Sequence, residues 1–387
     1  MAGGKAQHFT ATPQTVASLP IRCRGFETRC GAPASCLLYL WQNVRVKTLT
    51  LAALALAGFV AMAGKAPRWE PQTSGVTARL RGVSAVTERV AWASGAGGTV
   101  LRTADGGATW QKLAVPDSAR LDFRDVDAVS ETAAYVLSIG AGQASRIYKT
   151  ADAGAHWDLQ FTNDHPNAFF DAMAFWDAGR GLVMGDSVNG QFDILTTRDG
   201  GTTWARVPQE KLPPALPHEG AFAGSGTNVA VFGRDQAWIG TGASTRCRVL
   251  RTRDGGATWA IAETPVAASA SAGIFSVAFS DRLHGLTVGG DYRKEKEATD
   301  NAAVTADGGV TWTAIAGLGG FRSVVAYVPG TKQSWIAVGP SGADITADDG
   351  RTWTPIEGGG YHAFSFARRG KTGWGVGEGG RIGKLNW

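Results

Sequence analysis

Cysteine is scarce, and its placement excludes more than its number. Cys23, Cys30 and Cys36 fall close to the N-terminus and leave Cys247 alone in the rest of the chain. A lone cysteine forms no internal disulfide, and the C-x6-C-x5-C spacing of the other three matches no zinc pattern. Cys247 lies in the apolar run RCRVL, which predicts a buried, inert thiol. Charge is sparse as well, at 18% of 387 residues, and the formal net charge of +5 misleads. Residues 1–63 hold six basic side chains (Lys5, Arg22, Arg24, Arg29, Arg45 and Lys47) against Glu27, so the remainder balances 32 basic with 32 acidic residues. A neutral body has no electrostatic footprint for nucleic acid or anionic lipid. Long amphipathic helices are missing too, as are a Ser–His–Asp motif, a dinucleotide fingerprint and a phosphate loop. What remains is glycine-rich, with 53 Gly, and alternates strand and turn throughout, the composition of an all-β protein.

The basic start has its own logic. Arg45 and Lys47 precede an apolar run from Leu49 to Val60, and Ala61-Met62-Ala63 is an A-x-A cleavage pattern. The run falls short of the roughly 20 residues a membrane-spanning helix needs. Residues 44–63 therefore read as a secretory signal peptide. Such peptides begin a chain, so residues 1–43 are expected to be a spurious or disordered leader, a consequence of start-codon choice. The expected location is periplasmic or secreted, with no membrane span left after cleavage.

One unit recurs through the rest. TRDGGATW ends at Trp259, and close variants end at Trp110 (TADGGATW), Trp157 (TADAGAHW), Trp204 (TRDGGTTW), Trp312 (TADGGVTW) and Trp353 (TADDGRTW). Each has hairpin chemistry: an Asp that accepts backbone N–H groups, a Gly tolerant of positive φ, then Thr and Trp opening a new strand. Short β-branched runs such as TVLRT and RVLRT precede the unit. The tryptophans stand 41 to 55 residues apart, the period of a four-stranded propeller blade. Glycine-ended second strands such as VAWASG and SWIAVG occur seven times, against six hairpin units. The ends of the chain account for the mismatch. RWEPQ around Trp69 resembles the outer strand that follows every unit, whereas the C-terminus supplies GEGGRIGKL and stops one strand short. The expectation is an all-β, seven-bladed β-propeller over residues 64–387, closed by the N-terminal strand near Trp69.

The repeated unit resembles the Asp-box (BNR) repeat of sialidase-like and related propellers. A box in nearly every blade, seven blades and a signal peptide together resemble the photosystem II stability/assembly factor family and its non-photosynthetic bacterial relatives. The resemblance covers about residues 68–387. It implies a propeller with no catalytic residues, a partner protein in the cell envelope, and no cofactor; we further expect a monomer.

The boxes themselves are read as structure. Asp105, Asp152, Asp199, Asp254, Asp307 and Asp348 lack the calcium-loop spacing and its distal Glu, so they cap turns, and no metal site is expected. The box tryptophans are expected to wedge between blades. Function belongs where the repeat is broken. Enlarged loops at 163–171, 185–191, 209–226 and 289–301 share one face and offer His165, Asp186, His218, Glu219, Asp291 and Tyr292 as contacts. The second position of the inner strands holds Arg81, Arg124, Asp171, Arg322 and His362 among others, which predicts arginines around one mouth of the axial channel. Arginine suits carboxylate or phosphate there, though pairing with neighbours such as Asp125 and Asp171 explains it as well. Two functions remain: a non-catalytic scaffold that holds a partner protein on the loop-rich face, or a sialidase-like or other glycoside hydrolase. For the second, Asp186, Glu219 and Asp291 would supply acid and base, but no R-I-P context or Tyr–Glu pair accompanies them.

Overall fold

The second strands show why the sequence folds as it does. Ala91–Gly95, Gln236–Gly240 and Trp335–Gly339 are buried at every position. Strands packed on both faces read as continuous apolar runs, and here the two faces are the neighbouring blades. Outer strands such as Gln111–Leu113 and Thr354–Ile356 leave most positions exposed.

A computed structural model describes residues 66–387; the expected leader and signal segment, 1–43 and 44–63, lie outside the described residues. Twenty-eight strands pair into seven four-stranded antiparallel sheets, each running from an inner to an outer strand. The inner strands are Leu80–Ala85, Asp122–Ala128, Phe170–Phe175, Val229–Phe232, Ala272–Phe279, Val324–Tyr327 and Ala363–Phe366, opening blades 1 to 7 in that order. No helix among the described residues is long and apolar enough to cross a membrane.

The ring closes through the first strand. Arg68–Gln72 pairs antiparallel with Ile382–Asn386 as the outer strand of blade 7, Trp69 opposite Leu385. The Trp69 indole packs on Tyr361 and Phe364, at 4.5 and 5.6 Å between ring centroids. Gln72 then ties blade 7 to blade 1: its Oε1 accepts the indole N–H of Trp110 at 3.0 Å and that of Trp374 at 3.2 Å. Closure by a strand from the other end of the chain removes the sheet edges an open ring would expose.

The six boxes share one hydrogen-bond pattern. In the first, the Thr103 hydroxyl donates to Asp105 Oδ1 at 2.8 Å and accepts the Gly107 amide at 2.8 Å. The Asp105 carboxylate in turn accepts the Thr109 amide at 3.0 Å and its hydroxyl at 2.6 Å. The bond reaches four residues ahead, across two successive glycines at positive φ, Gly106 and Gly107. The hydroxyls of Thr346 and Thr352 and the Thr352 amide hold the Asp348 carboxyl down to about 2. Each box aspartate spends its oxygens on its own hairpin, and among the described residues no three His, Cys, Asp or Glu side chains converge as a metal site would need. The box tryptophans wedge as expected: Trp157 of blade 2 meets Trp92 of blade 1 edge to face at 6.2 Å, and Trp312 of blade 5 packs in one cluster with Trp238 of blade 4.

Around the axis, polar side chains of the inner strands join blade to blade. Ser365 accepts the Ala85 amide and Ser84 the Ala128 amide, both at 3.1 Å. Asp125 and Asp127 accept the Met173 and Phe175 amides at 2.7 and 2.8 Å, and Ser276 accepts the Val325 amide at 3.0 Å. Small polar residues in otherwise apolar strands thus satisfy amides that the neighbouring sheet cannot reach. Cys247 is a free, buried thiol, pushed up to about 12 by burial.

Candidate functional site

The loop before blade 4 crosses the channel mouth. Leu216 to Gly226 leaves the blade 3–4 junction and reaches toward blades 1, 2 and 6. There Arg124 Nη1 donates to the Ala223 carbonyl at 2.9 Å, and Arg81 Nη1 donates to that of Gly224 at 3.5 Å. The Ser225 hydroxyl donates to the Ser323 carbonyl at 2.8 Å. Two glycines permit this path. A side chain at Gly220 would lie 1.8 Å from Asp186 Oδ1, and one at Gly226, at φ +77°, 2.1 Å from Asp125 Oδ1.

Above the loop lies a cavity of about 550 Å³. Arg79, Arg81 and Arg124 form its basic side, and Asp171 and Asp186 its acidic side. Phe222 stacks on Phe275 at 4.2 Å, with Tyr292 edge-on to both, and together they form an aromatic wall. His218 and His362 complete the rim.

The charges in this cavity are unevenly matched. Arg124 Nε donates to Asp122 at 2.9 Å, and Arg79 reaches the same carboxylate at 3.4 Å. Among the described residues Arg81 makes no ion pair, and its Nε is buried without a hydrogen-bond partner. Burial, then the charges of Arg124 and Arg79, lower its pKa to about 10. On the acidic side Asp171 is 1% exposed, and its Oδ2 has no partner. Burial raises the Asp171 carboxyl well above its ordinary range, and Asp186 adds to the effect. The two carboxyls meet in hydrogen-bonding contact, which raises Asp171 further. Asp186 is pushed up to about 6 by burial, opposed by the Ala221 amide and by Asp171. His362 is pushed down to about 4 by burial and by Arg81, although its Nε2 sits 3.0 Å from Glu378.

Of the residues singled out from sequence, the cavity brings together Arg81, Arg124, Asp171, Asp186, His218, Tyr292 and His362. It does not gather the others. Arg322 was expected beside the other arginines, but it is 3% exposed and folds back onto Asp344, with Nε to Oδ2 at 2.7 Å and Nη1 on Ser341. The acid that captures it is on the third strand of its own blade, Gly342–Thr346, a pairing its inner-strand position does not reveal. Glu219 was expected at the surface and is instead 1% exposed, ion-paired with Arg248. Its loop folds inward at that point, and His218 takes the exposed place at φ +60°. His165 closes a local turn, accepting the Asn167 amide on Nδ1 at 3.3 Å, and Asp291 accepts the Arg293 amide at 2.9 Å in a turn. Sequence reading missed Arg79, Phe222 and Phe275 as site residues. GAFAGSG carries the available signal: a single aromatic among small residues where the repeat is broken.

Fold and site together define a seven-bladed propeller with a polar, aromatic-walled cavity at one channel mouth. Solved structures of the same architecture include YCF48 bound to D1 peptide, at 16% identity, 82% of this chain, 97% of that one and a TM-score of 0.59. YCF48 from Cyanidioschyzon merolae aligns at 16% identity, 82% and 99% coverage and a TM-score of 0.58. A GH74 xyloglucanase from Xanthomonas campestris aligns at 15% identity, over 82% of this chain and 53% of that one, with a TM-score of 0.56. At these identities the likeness is one of fold. No family model matches the chain, and neither does any curated protein.

Proposed function

We propose that this chain is an exported, non-catalytic binding or assembly scaffold that holds a partner protein in the cell envelope on its loop-rich face. One observation carries the reading: the channel-mouth cavity combines an arginine with an unpaired buried donor, Arg81, with an acid pair and an aromatic wall. Such a surface recognises backbone, side chain and charge together. A fold neighbour's complex with a peptide supports a propeller in that role. The signal segment at 44–63 supports export. Affinity capture from the envelope fraction of the native host, with the chain from Gly64 as bait, tests it. A specific protein recovered with wild type and lost with Arg81→Met/Arg124→Met supports the reading; equal recovery with both removes the cavity from it.

Glycoside hydrolysis is the second reading, favoured by the acid pair and by a xyloglucanase among the fold neighbours. Retaining enzymes hold their carboxyls about 5–5.5 Å apart, and inverting ones about 6.5–9.5 Å. Carboxyls in direct hydrogen-bonding contact fit neither spacing, which weighs toward binding. A glycan-hydrolysis screen with Asp186→Asn as control decides: turnover abolished by that substitution would establish the enzyme.

A further inference from the structure

The loop across the mouth is itself held by the cavity's arginines and aromatic wall. Within Ala221 to Gly224, two carbonyls and one ring are held by the cavity, and two amides face its acids. The Ala221 amide faces Asp186 and the Ala223 amide faces Asp171. The Ala223 and Gly224 carbonyls accept from Arg124 and Arg81. Phe222 lays its ring on Phe275. Acceptors facing amides, donors facing carbonyls and an aromatic seat between them make up a receptor for a turned peptide backbone, since the Gly224 amide folds back onto the Phe222 carbonyl at 2.6 Å. The segment also fills that receptor poorly: Arg81 Nε and Asp171 Oδ2 stay buried without partners. Unsatisfied buried groups of this kind are costly, so an occupant that reached them would hold an advantage over the resident.

We propose that the channel mouth is a peptide-backbone site occupied in the free chain by its own Ala221–Gly224 segment, and that a partner's polypeptide segment with an aromatic side chain between small residues displaces it. The proposal rests on the scaffold reading and names the chemistry of its partner. A tethered segment competes at the high effective concentration of a short loop, in the millimolar range, so a free peptide is at a disadvantage until the resident is weakened. Removing the Phe222 ring weakens the resident and vacates its seat on Phe275, and leaves the arginines and the acid pair in place.

The probe is a synthetic Ala-Phe-Ala-Gly peptide, acetylated and amidated so that it carries no charge. Binding is read by saturation-transfer NMR, and opening by hydrogen exchange at the Ala221 and Ala223 amides. In Phe222→Ala both amides should exchange at least about tenfold faster than in wild type. Peptide affinity should rise by a similar factor, since an aromatic pair contributes roughly this much, and Arg124→Met in that background should abolish it. Phe222→Leu keeps the volume without the stack and serves if Phe222→Ala does not fold. Peptide affinity equal in wild type and variant, absent from both, or indifferent to Arg124→Met would overturn the proposal. These outcomes are separable from failure of the scaffold reading, because the peptide assay needs no native partner.

Discussion

Removing the Glu219 carboxylate should destabilise the fold as the loss of a buried charge does, not as a surface change does. Glu219 Oε1 accepts Arg248 Nε at 2.9 Å and the Thr241 hydroxyl at 2.6 Å; Oε2 accepts the Leu216 amide at 2.8 Å and Arg248 Nη2. Both charged residues are under a tenth exposed. Glu219→Ala strands a buried guanidinium and orphans the Leu216 amide, whereas the Thr241 hydroxyl keeps the Arg248 carbonyl at 3.0 Å. Breaking such a pair from one side costs about 3–5 kcal/mol. Exchanging both partners for apolar groups, as in Glu219→Leu/Arg248→Met, should recover much of that, because no unpaired charge remains. Guanidinium denaturation followed by tryptophan fluorescence measures both, read from midpoints at unchanged slope. A single-variant cost below about 1 kcal/mol, the range of exposed ion pairs, would refute the reasoning and return Glu219 to the surface.

Other consequences follow from the same contacts. Asp186 titrates near 6 in the fold, raised by burial above its unfolded value. A raised carboxyl favours the fold below the unfolded value and loses that contribution as pH rises through 6, so wild-type stability should fall between pH 4 and pH 7. Asp186→Asn should remove up to about 2–3 kcal/mol of that slope in denaturation at the two pH values, and an unchanged slope would exclude the assignment. Gln72→Leu should orphan the indole N–H groups of Trp110 and Trp374 at the ring seam, at about 1–3 kcal/mol each, and calorimetry should show it as a lowered unfolding temperature. Partial burial opposes ionisation of Asp254, but the Thr258 hydroxyl and amide outweigh it and depress the carboxyl. Asp254→Ala should therefore cost roughly 1 kcal/mol at pH 7, as lost caps do, and the deficit should fade as pH falls from about 4, where the unfolded carboxyl protonates, through the lower value at which the folded one does.

The propeller was legible because its information is local and repeated. A box fixes a hairpin through contacts within a few residues, so Thr103, Asp105 and Gly107 can be read without a fold. Closure was legible for a different reason: RWEPQ lacks the box that should precede it, and the C-terminus lacks the strand that should follow. The site was half legible. Arg81, Arg124, Asp171 and His362 share one inner-strand position, and all four line the cavity. Arg322 holds the same position and fails, because Asp344 lies close enough to capture it. Glu219 and His218 are adjacent, yet one is buried and the other exposed, because a positive φ at His218 turns the chain between them. Such choices depend on residues far away in sequence, and a loop that crosses from blade 4 to blades 1 and 2 leaves no periodic trace.

The central claim is that a polypeptide partner sits at the channel mouth. A photo-crosslinking amino acid at Tyr292, which is 40% exposed at the cavity wall, tests it when the chain is irradiated with the host's envelope fraction. The control position is Val310, 44% exposed on the box hairpin of blade 5. One discrete protein adduct is expected from position 292, lost in the Arg81→Met/Arg124→Met background, and none from 310. No adduct from 292, or the same adduct from both positions, would contradict it.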